Sequence, residues 1–322
     1  MATPFTDFFQ LTSASSGATR NSGTNGDFNA LANWALPQAG WTRPYHNAGT
    51  NESVFAPPGG GVVLYLRHDS AASGSACLTV ARAAESASAY NVLTDPFPTV
   101  AQVANTSCNW LVSSTANTTD RPFIINVWET GFLYFSKFSS TSDVWEWGGL
   151  VYPWARLTGD TSYPWLMIQR NSTATSNSQV NAVATSSAFA VSGAKAHFMR
   201  DFAGVIKSST GYFNGRGGNI GTVPGAPAIR AGVGNTVDRE KLCVHDLNSS
   251  TNTVGSAGVL IRGCIPNIWT PLHSSLTGVT ETDVLTDATY NVSSTFTLLK
   301  ANTGNNGIIL ENTNTSDGFP GA

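Results

Sequence analysis

Phe123-Ile-Ile-Asn-Val-Trp-Glu129, Thr130 and Gly131-Phe-Leu-Tyr-Phe-Ser-Lys-Phe138 form the stretch that decides the fold class. Both apolar runs are built from β-branched and aromatic residues, which suit a pleated, half-buried surface. Glu129-Thr-Gly between them reads as the reversal of a tight β-hairpin. Downstream, Trp145-Glu-Trp-Gly-Gly-Leu-Val-Tyr-Pro-Trp154 continues the pattern. Upstream, Gly60-Gly-Val-Val-Leu-Tyr-Leu-Arg67 leaves a Pro/Gly turn, and Ala76-Cys-Leu-Thr-Val-Ala-Arg-Ala83 alternates as a strand does. In the second half, Ala188–Val191, His197–Arg200, Val259–Arg262, Phe296–Leu299 and Gly307–Glu311 are further short strands between polar turns. Many short strands at such spacing predict a mainly β chain: an antiparallel β-sandwich or barrel-like fold with long polar loops and one or two short helices.

Helical patterning is confined to two places. Phe28 to Leu36 carries apolar residues at Phe28, Leu31, Ala32 and Ala35, with Asp27 as N-cap and Pro37 as a stop. A second short helix is expected after Pro98. Eight of nine tryptophans precede residue 166, and residues 171–187 are almost all Ser, Thr, Asn and Ala. The chain therefore divides into a Trp-rich β region at 1–170, a Ser/Thr/Asn-rich excursion or linker at 171–187, and a β region at 188–322 read as continuous with the first.

Composition narrows the function. Of the 322 residues, 41% are hydrophobic, enough for a packed core, while only 11% are charged, against ~25% in ordinary globular domains. A net charge of −3 without clustered Lys and Arg speaks against nucleic acid as a partner. Nine tryptophans with so little charge oppose disorder. Met1-Ala-Thr-Pro-Phe-Thr-Asp7 shows no basic region followed by an apolar run, and no window has the ~20 apolar residues of a spanning helix, so no membrane insertion is expected. A surface of hydroxyls and amides is typical of extracellular, fibrous or assembled proteins, whereas the N-terminal sequence leads one to expect synthesis in the cytosol. Release by lysis reconciles the two expectations.

No strong catalytic or metal-binding pattern is present. GxSxG, HExxH and Walker sequences are absent, and the Gly-rich run 211–221 is not followed by a helix. His68-Asp69 and His245-Asp246 are adjacent in sequence, so on a strand they face opposite sides and form no dyad; each reads as a strand-end turn. Cys243 and His245 share a strand face but lack further ligands, so neither a metal nor a cofactor is expected. Cys77, Cys108, Cys243 and Cys264 read as buried thiols, with disulfides 77–108 and 243–264 as the alternative. Trp145 and Trp147 fall on one face around Glu146 and can be either a sugar-stacking platform or core.

Several runs carry a resemblance. Gly40-Trp-Thr-Arg-Pro-Tyr45, Thr50-Asn-Glu-Ser-Val-Phe55, Leu64-Tyr-Leu-Arg-His-Asp69, Ala81-Arg-Ala-Ala-Glu-Ser86 and Asp95-Pro-Phe-Pro-Thr99 resemble a family of tailed-bacteriophage virion structural proteins. In that family a GW-x-x-PY run precedes a YLR-x-D strand, an AR-x-x-x-ES strand and a PFPT turn. Arg121-Pro-Phe-Ile124 with Gly131–Phe135, and Arg262-Gly-Cys-Ile-Pro266, are similar to its later RPW…FYL pair and its RG-x-(L/I)P turn. The similarity covers residues 30–155 and 255–312, and the Ser/Thr-rich middle departs from it.

The resemblance implies a non-enzymatic particle component, with other copies of itself and other virion proteins as partners. Tail or tail-tip association is the leading expectation. A capsid decoration or head-fibre protein is the first alternative, and a carbohydrate-binding adhesin for host attachment, with a host surface glycan as partner, is the second. Trp41, Tyr45 and Trp154 are candidate interface anchors, and Trp145 and Trp147 candidate glycan-stacking residues; core packing competes for each.

Overall fold

The computed structural model describes residues 9–12, 14–15, 28–69, 77–99, 109–113, 122–137, 145–152, 165–168, 197–200, 206–209, 213–214, 236–237, 239–246, 260–271, 284–287, 295–300 and 307–312. The fold is mainly β, as the patterning predicts, with one α-helix among the described residues.

A first seven-stranded sheet has the order β1 (Phe9–Thr12), β9 (Phe123–Trp128), β10 (Gly131–Lys137), β11 (Trp145–Val151), β12 (Leu166–Ile168), β13 (His197–Arg200), β14 (Ile206–Ser209). A second, five-stranded sheet runs β2 (Thr42–Asn47), β3 (Glu52–Ala56), β4 (Val63–Asp69), β5 (Cys77–Ala84), β8 (Asn109–Ser113). Between its last two strands the chain makes a separate hairpin, β6 (Ser86–Ala89) and β7 (Val92–Thr94). A third sheet has the order β15 (Phe213–Asn214), β17 (Arg239–Asp246), β18 (Leu260–Pro271), β21 (Gly307–Glu311), β20 (Thr295–Lys300), β19 (Val284–Asp287), β16 (Thr236–Val237). Only β16 with β19 pairs in parallel; the other described pairs are antiparallel.

The first and second sheets and the helix share one core, which makes this part a sandwich. Alternation sends Leu64 and Leu66 of β4, Ala81 and Ala83 of β5, Ile125 and Val127 of β9, and Phe132 and Tyr134 of β10 into that core. The helix α1 (Phe28–Ala35) contributes Phe28, Leu31, Ala32 and Ala35, the apolar stripe visible in the sequence. Pro37 does not stop the helical path. It enters a 3-10 turn, Leu36–Ala39, whose first positions need no N–H donor, and Gly40 ends that turn at φ +77°. Asp27 lies outside the described residues.

The β9–β10 hairpin is the one expected, with Trp128 opposite Gly131 across the two-residue turn Glu129-Thr130. Gly131 is required there, because a Cβ would sit 2.8 Å from the Trp128 ring and from the Leu150 carbonyl oxygen. At Gly148 of β11 a Cβ would overlap the Trp110 indole, so the glycine leaves room for a bulky ring from the opposing sheet. All six residues of β9 are buried, so both faces of this strand are covered. β12 and β13, on either side of residues 169–196, are neighbours in the first sheet, with Met167 opposite Phe198.

One expectation needs correction and two fall largely outside the described residues. The Arg262-Gly-Cys-Ile-Pro266 run is not a turn but lies inside β18, a strand of 12 residues. The strand continues through it because Gly263 (φ +149°) and Asn267 (φ +57°) absorb the irregular backbone, while β17 shifts register opposite. The helix expected after Pro98 and the strand at 188–191 fall outside the described residues, apart from Pro98 and Thr99, which lie outside any helix. The third sheet has its own apolar cluster of Trp269, Leu285, Phe296, Leu298 and Ile309.

Candidate functional site

A buried polar arrangement lies across β3, β4 and β5, on the face of the second sheet turned away from the shared core. Because Leu64 and Leu66 point inward, Tyr65 points the other way, opposite Val54 on one side and Arg82 on the other. Tyr65 Oη donates to Glu52 Oε1 at 2.6 Å, and Thr50 Oγ1 donates to Glu52 Oε2 at 2.6 Å. The Arg82 guanidinium stands 5.6 Å from the centre of the Tyr65 ring. Burial, and next the Glu52 carboxylate, push the Tyr65 hydroxyl well above the usual tyrosine range. Burial pushes the Arg82 guanidinium down, against the favourable charge of Glu52.

This geometry suits anchoring rather than turnover. Each Glu52 oxygen already accepts a hydroxyl, and a tyrosine held in its neutral form is badly matched to proton transfer near neutral pH. Such charge-assisted bonds are worth more than neutral ones and tie β3 to β4, while Arg82 of β5 lies over the Tyr65 ring. His46 of β2, in register with Ser53, makes a separate tie between β2 and β3, with Nδ1 at 2.9 Å from Ser53 Oγ and 3.2 Å from the Glu52 backbone carbonyl.

Two outward-facing surfaces flank this framework. β2 is an edge strand whose Thr42, Arg43, Pro44 and His46 are exposed. Pro44 lacks an N–H and a register shift interrupts the pairing between Thr42 and Tyr45, so the edge is blunted against indiscriminate strand addition. The β6–β7 hairpin exposes Ser86, Ser88, Asn91 and Thr94, and Val92 is 53% exposed. Arg200 of β13 clamps the base of this hairpin. It pairs with Glu85 at 3.1 Å, donates to the Asp95 carbonyl at 3.2 Å and lies 5.7 Å from the Phe97 ring centre.

The aromatic candidates separate. Trp41 is a core residue, which corrects the interface-anchor reading: it is 2% exposed and its Nε1 donates to the Trp128 carbonyl at 2.8 Å. Tyr45 is half-buried on the exposed edge strand β2, opposite Val54. Trp145 and Trp147 occupy alternate positions of β11, in register with Lys137 and Phe135. Trp154 lies outside the described residues, and so does Cys108. His68-Asp69 and His245-Asp246 occupy the last two positions of β4 and β17. A register shift between Val244 and His245 interrupts the alternation that would align Cys243 with His245. Among the described residues, no group of three or more His, Cys, Asp and Glu stands together as a metal site, and no helix is long and apolar enough to cross a membrane.

The Glu52–Tyr65–Arg82 set does not stand out in the sequence. Its one signal is the polar residues at alternate positions of β4 and β5, Tyr65, Arg67 and Arg82, among otherwise apolar neighbours. The clamp at Arg200 has no local signal, since it joins positions 105 residues apart. No protein-family model matches the chain, and no curated protein matches it.

Proposed function

We propose that this chain is a non-enzymatic structural component of a tailed-phage virion, associated with the tail or its tip. The observation that supports this reading is where the family-like runs fall in the fold. Trp41 of the Gly40–Tyr45 run, Leu64 and Leu66 of the Leu64–Asp69 run, Ala81 and Ala83 of the next, and Phe97 of the Asp95–Thr99 run all lie in the shared core. Phe97 also pairs with Ala83 through both backbone bonds, at 2.7 and 2.9 Å. The resemblance is therefore carried by scaffold residues rather than by a reactive site.

Low charge gives the second support. With 11% charged residues, like-charge repulsion between neighbouring copies is small. Hydroxyl and amide groups of the kind exposed on β6–β7 can pair across subunits without desolvating ions. In this reading the partners are other copies of the chain and other virion proteins, and the place of action is the virion. The test is proteomics of purified particles of the encoding phage, with heads and tails separated. Recovery in the tail fraction supports the proposal. Recovery with heads alone assigns the chain to capsid decoration or a head fibre, and absence from the particles refutes it.

A further inference from the structure

We propose that Cys243 and Cys264 form a cross-strand disulfide that staples β17 to β18 when the protein meets an oxidant such as glutathione disulfide. The two residues are direct Cα partners in the antiparallel ladder of the third sheet. Antiparallel partners stand about 4.5 Å apart at non-hydrogen-bonded positions and about 5.5 Å apart at hydrogen-bonded ones, and both separations lie within the range a disulfide spans. Register shifts flank the pair, between Lys241 and Cys243 and between Val244 and His245. Such irregularities bend and twist a ladder locally, so the backbone around the pair is not held to the spacing of a regular sheet.

Cys264 is buried, which shields one sulfur of the bond from casual exchange. The other half of the sequence offers no equal. Cys77 stands opposite Ser113, and Asn109, the neighbour of Cys108, stands opposite Val80.

The chemistry balances with glutathione disulfide as the oxidant. One cysteine thiolate attacks a sulfur of glutathione disulfide, forming a mixed disulfide and expelling one glutathione thiolate. The second cysteine thiolate attacks the protein sulfur of that mixed disulfide and expels the other. The two cysteines lose two protons and two electrons, and one glutathione disulfide becomes two glutathione molecules. The staple is open in a reducing cytosol and closes in an oxidising medium. It depends only on the register of β17 and β18, whatever particle or partner the chain serves.

The test treats the folded full-length chain with glutathione disulfide, blocks remaining thiols with iodoacetamide, and maps a non-reduced tryptic digest. Lys241, Arg262 and Lys300 place Cys243 in peptide 242–262 and Cys264 in peptide 263–300, so the bond joins two separate peptides. The expected result is a linked species two hydrogen atoms lighter than the sum of the two peptides. It disappears on reduction and in Cys264→Ser, and it outweighs every other pairing. The same chain treated in urea should scatter over the three connectivities that four cysteines allow. Quantitative alkylation of both peptides in the folded, oxidised wild-type chain overturns the proposal, as does a predominant link from either cysteine to Cys77 or Cys108. Wild-type mapping decides this even if the serine variant fails to fold.

Discussion

Replacing Phe28 with alanine removes the ring at which the helix and the two facing sheets meet. Phe28 is fully buried, and its ring centre lies 4.8 Å from Trp110 of β8, 4.8 Å from Tyr134 of β10 and 6.2 Å from Phe132. The first two contacts are edge-on, at interplanar angles of 68° and 66°. Truncating a buried phenylalanine costs about 3–5 kcal/mol, and each edge-to-face pair carries about 0.5–1.5 kcal/mol within that total. Its neighbours are held by strand pairing on both sides, so the cavity cannot collapse easily, and a loss of about 4 kcal/mol is expected. At roughly 2–4 °C per kcal/mol for a large domain, the thermal midpoint should fall by about 8–16 °C. The assay is thermal and urea unfolding followed by tryptophan fluorescence and far-UV circular dichroism. Asn33→Ser, at an exposed position on the same helix, serves as the control. Asparagine and serine have similar helix propensities, so it should change stability by less than about 0.5 kcal/mol. A Phe28→Ala loss below about 1 kcal/mol would refute the placement of this ring in the shared core.

Tyr65→Phe should cost about 1–3 kcal/mol at neutral pH, because Glu52 keeps its burial but loses one donor; urea titration measures it. Tyr65 also sets an alkaline limit. Its hydroxyl is held above the unfolded value, so its contribution is complete below about pH 10 and is lost as pH rises from there toward the folded value. Over that window the wild-type chain should lose stability more steeply than Tyr65→Phe, by up to about 1.4 kcal/mol per pH unit, and parallel curves would contradict the assignment. Gly148→Ala should destabilise by about 1–3 kcal/mol through overlap with the Trp110 indole, whereas Gly60→Ala, with open space around its Cβ, tests backbone strain alone; thermal unfolding compares them. Trp41→Phe should cost about 1–3 kcal/mol, because it removes the indole donor to the Trp128 carbonyl and shrinks a buried ring; differential scanning calorimetry would read it.

Much of the sandwich is legible in the sequence because its signals are local. The β9–β10 hairpin shows two β-forming runs around Glu129-Thr130, and α1 shows its stripe at Phe28, Leu31, Ala32 and Ala35. β2 does not read as a strand. Its Arg-Pro-Tyr-His carries no alternation of polarity, and its extended form comes from pairing with β3. The Ser-Ala alternation of β6 is likewise too small and polar to mark a strand. The middle of β18 reads as a turn because Gly263 and Pro266 are breakers in isolation, while two flanking partners hold this strand through its bulge. Trp41 shows the limit for single residues: its composition suits an anchor as well as a core ring, and only the distant Trp128 carbonyl decides between them. The Glu52–Tyr65 bond is hidden for the same reason, since it depends on the β3–β4 register.

The proposal that this chain is a building block of a phage particle is tested most directly by a cryo-EM reconstruction of the intact virion of any tailed phage whose genome carries this sequence. The proposal predicts repeated tail or tail-tip density that accommodates the two facing sheets with Phe28 between them. It also predicts that exposed residues of β2 and of the β6–β7 hairpin lie against neighbouring subunits. A complete reconstruction in which no density fits the sandwich would contradict the account.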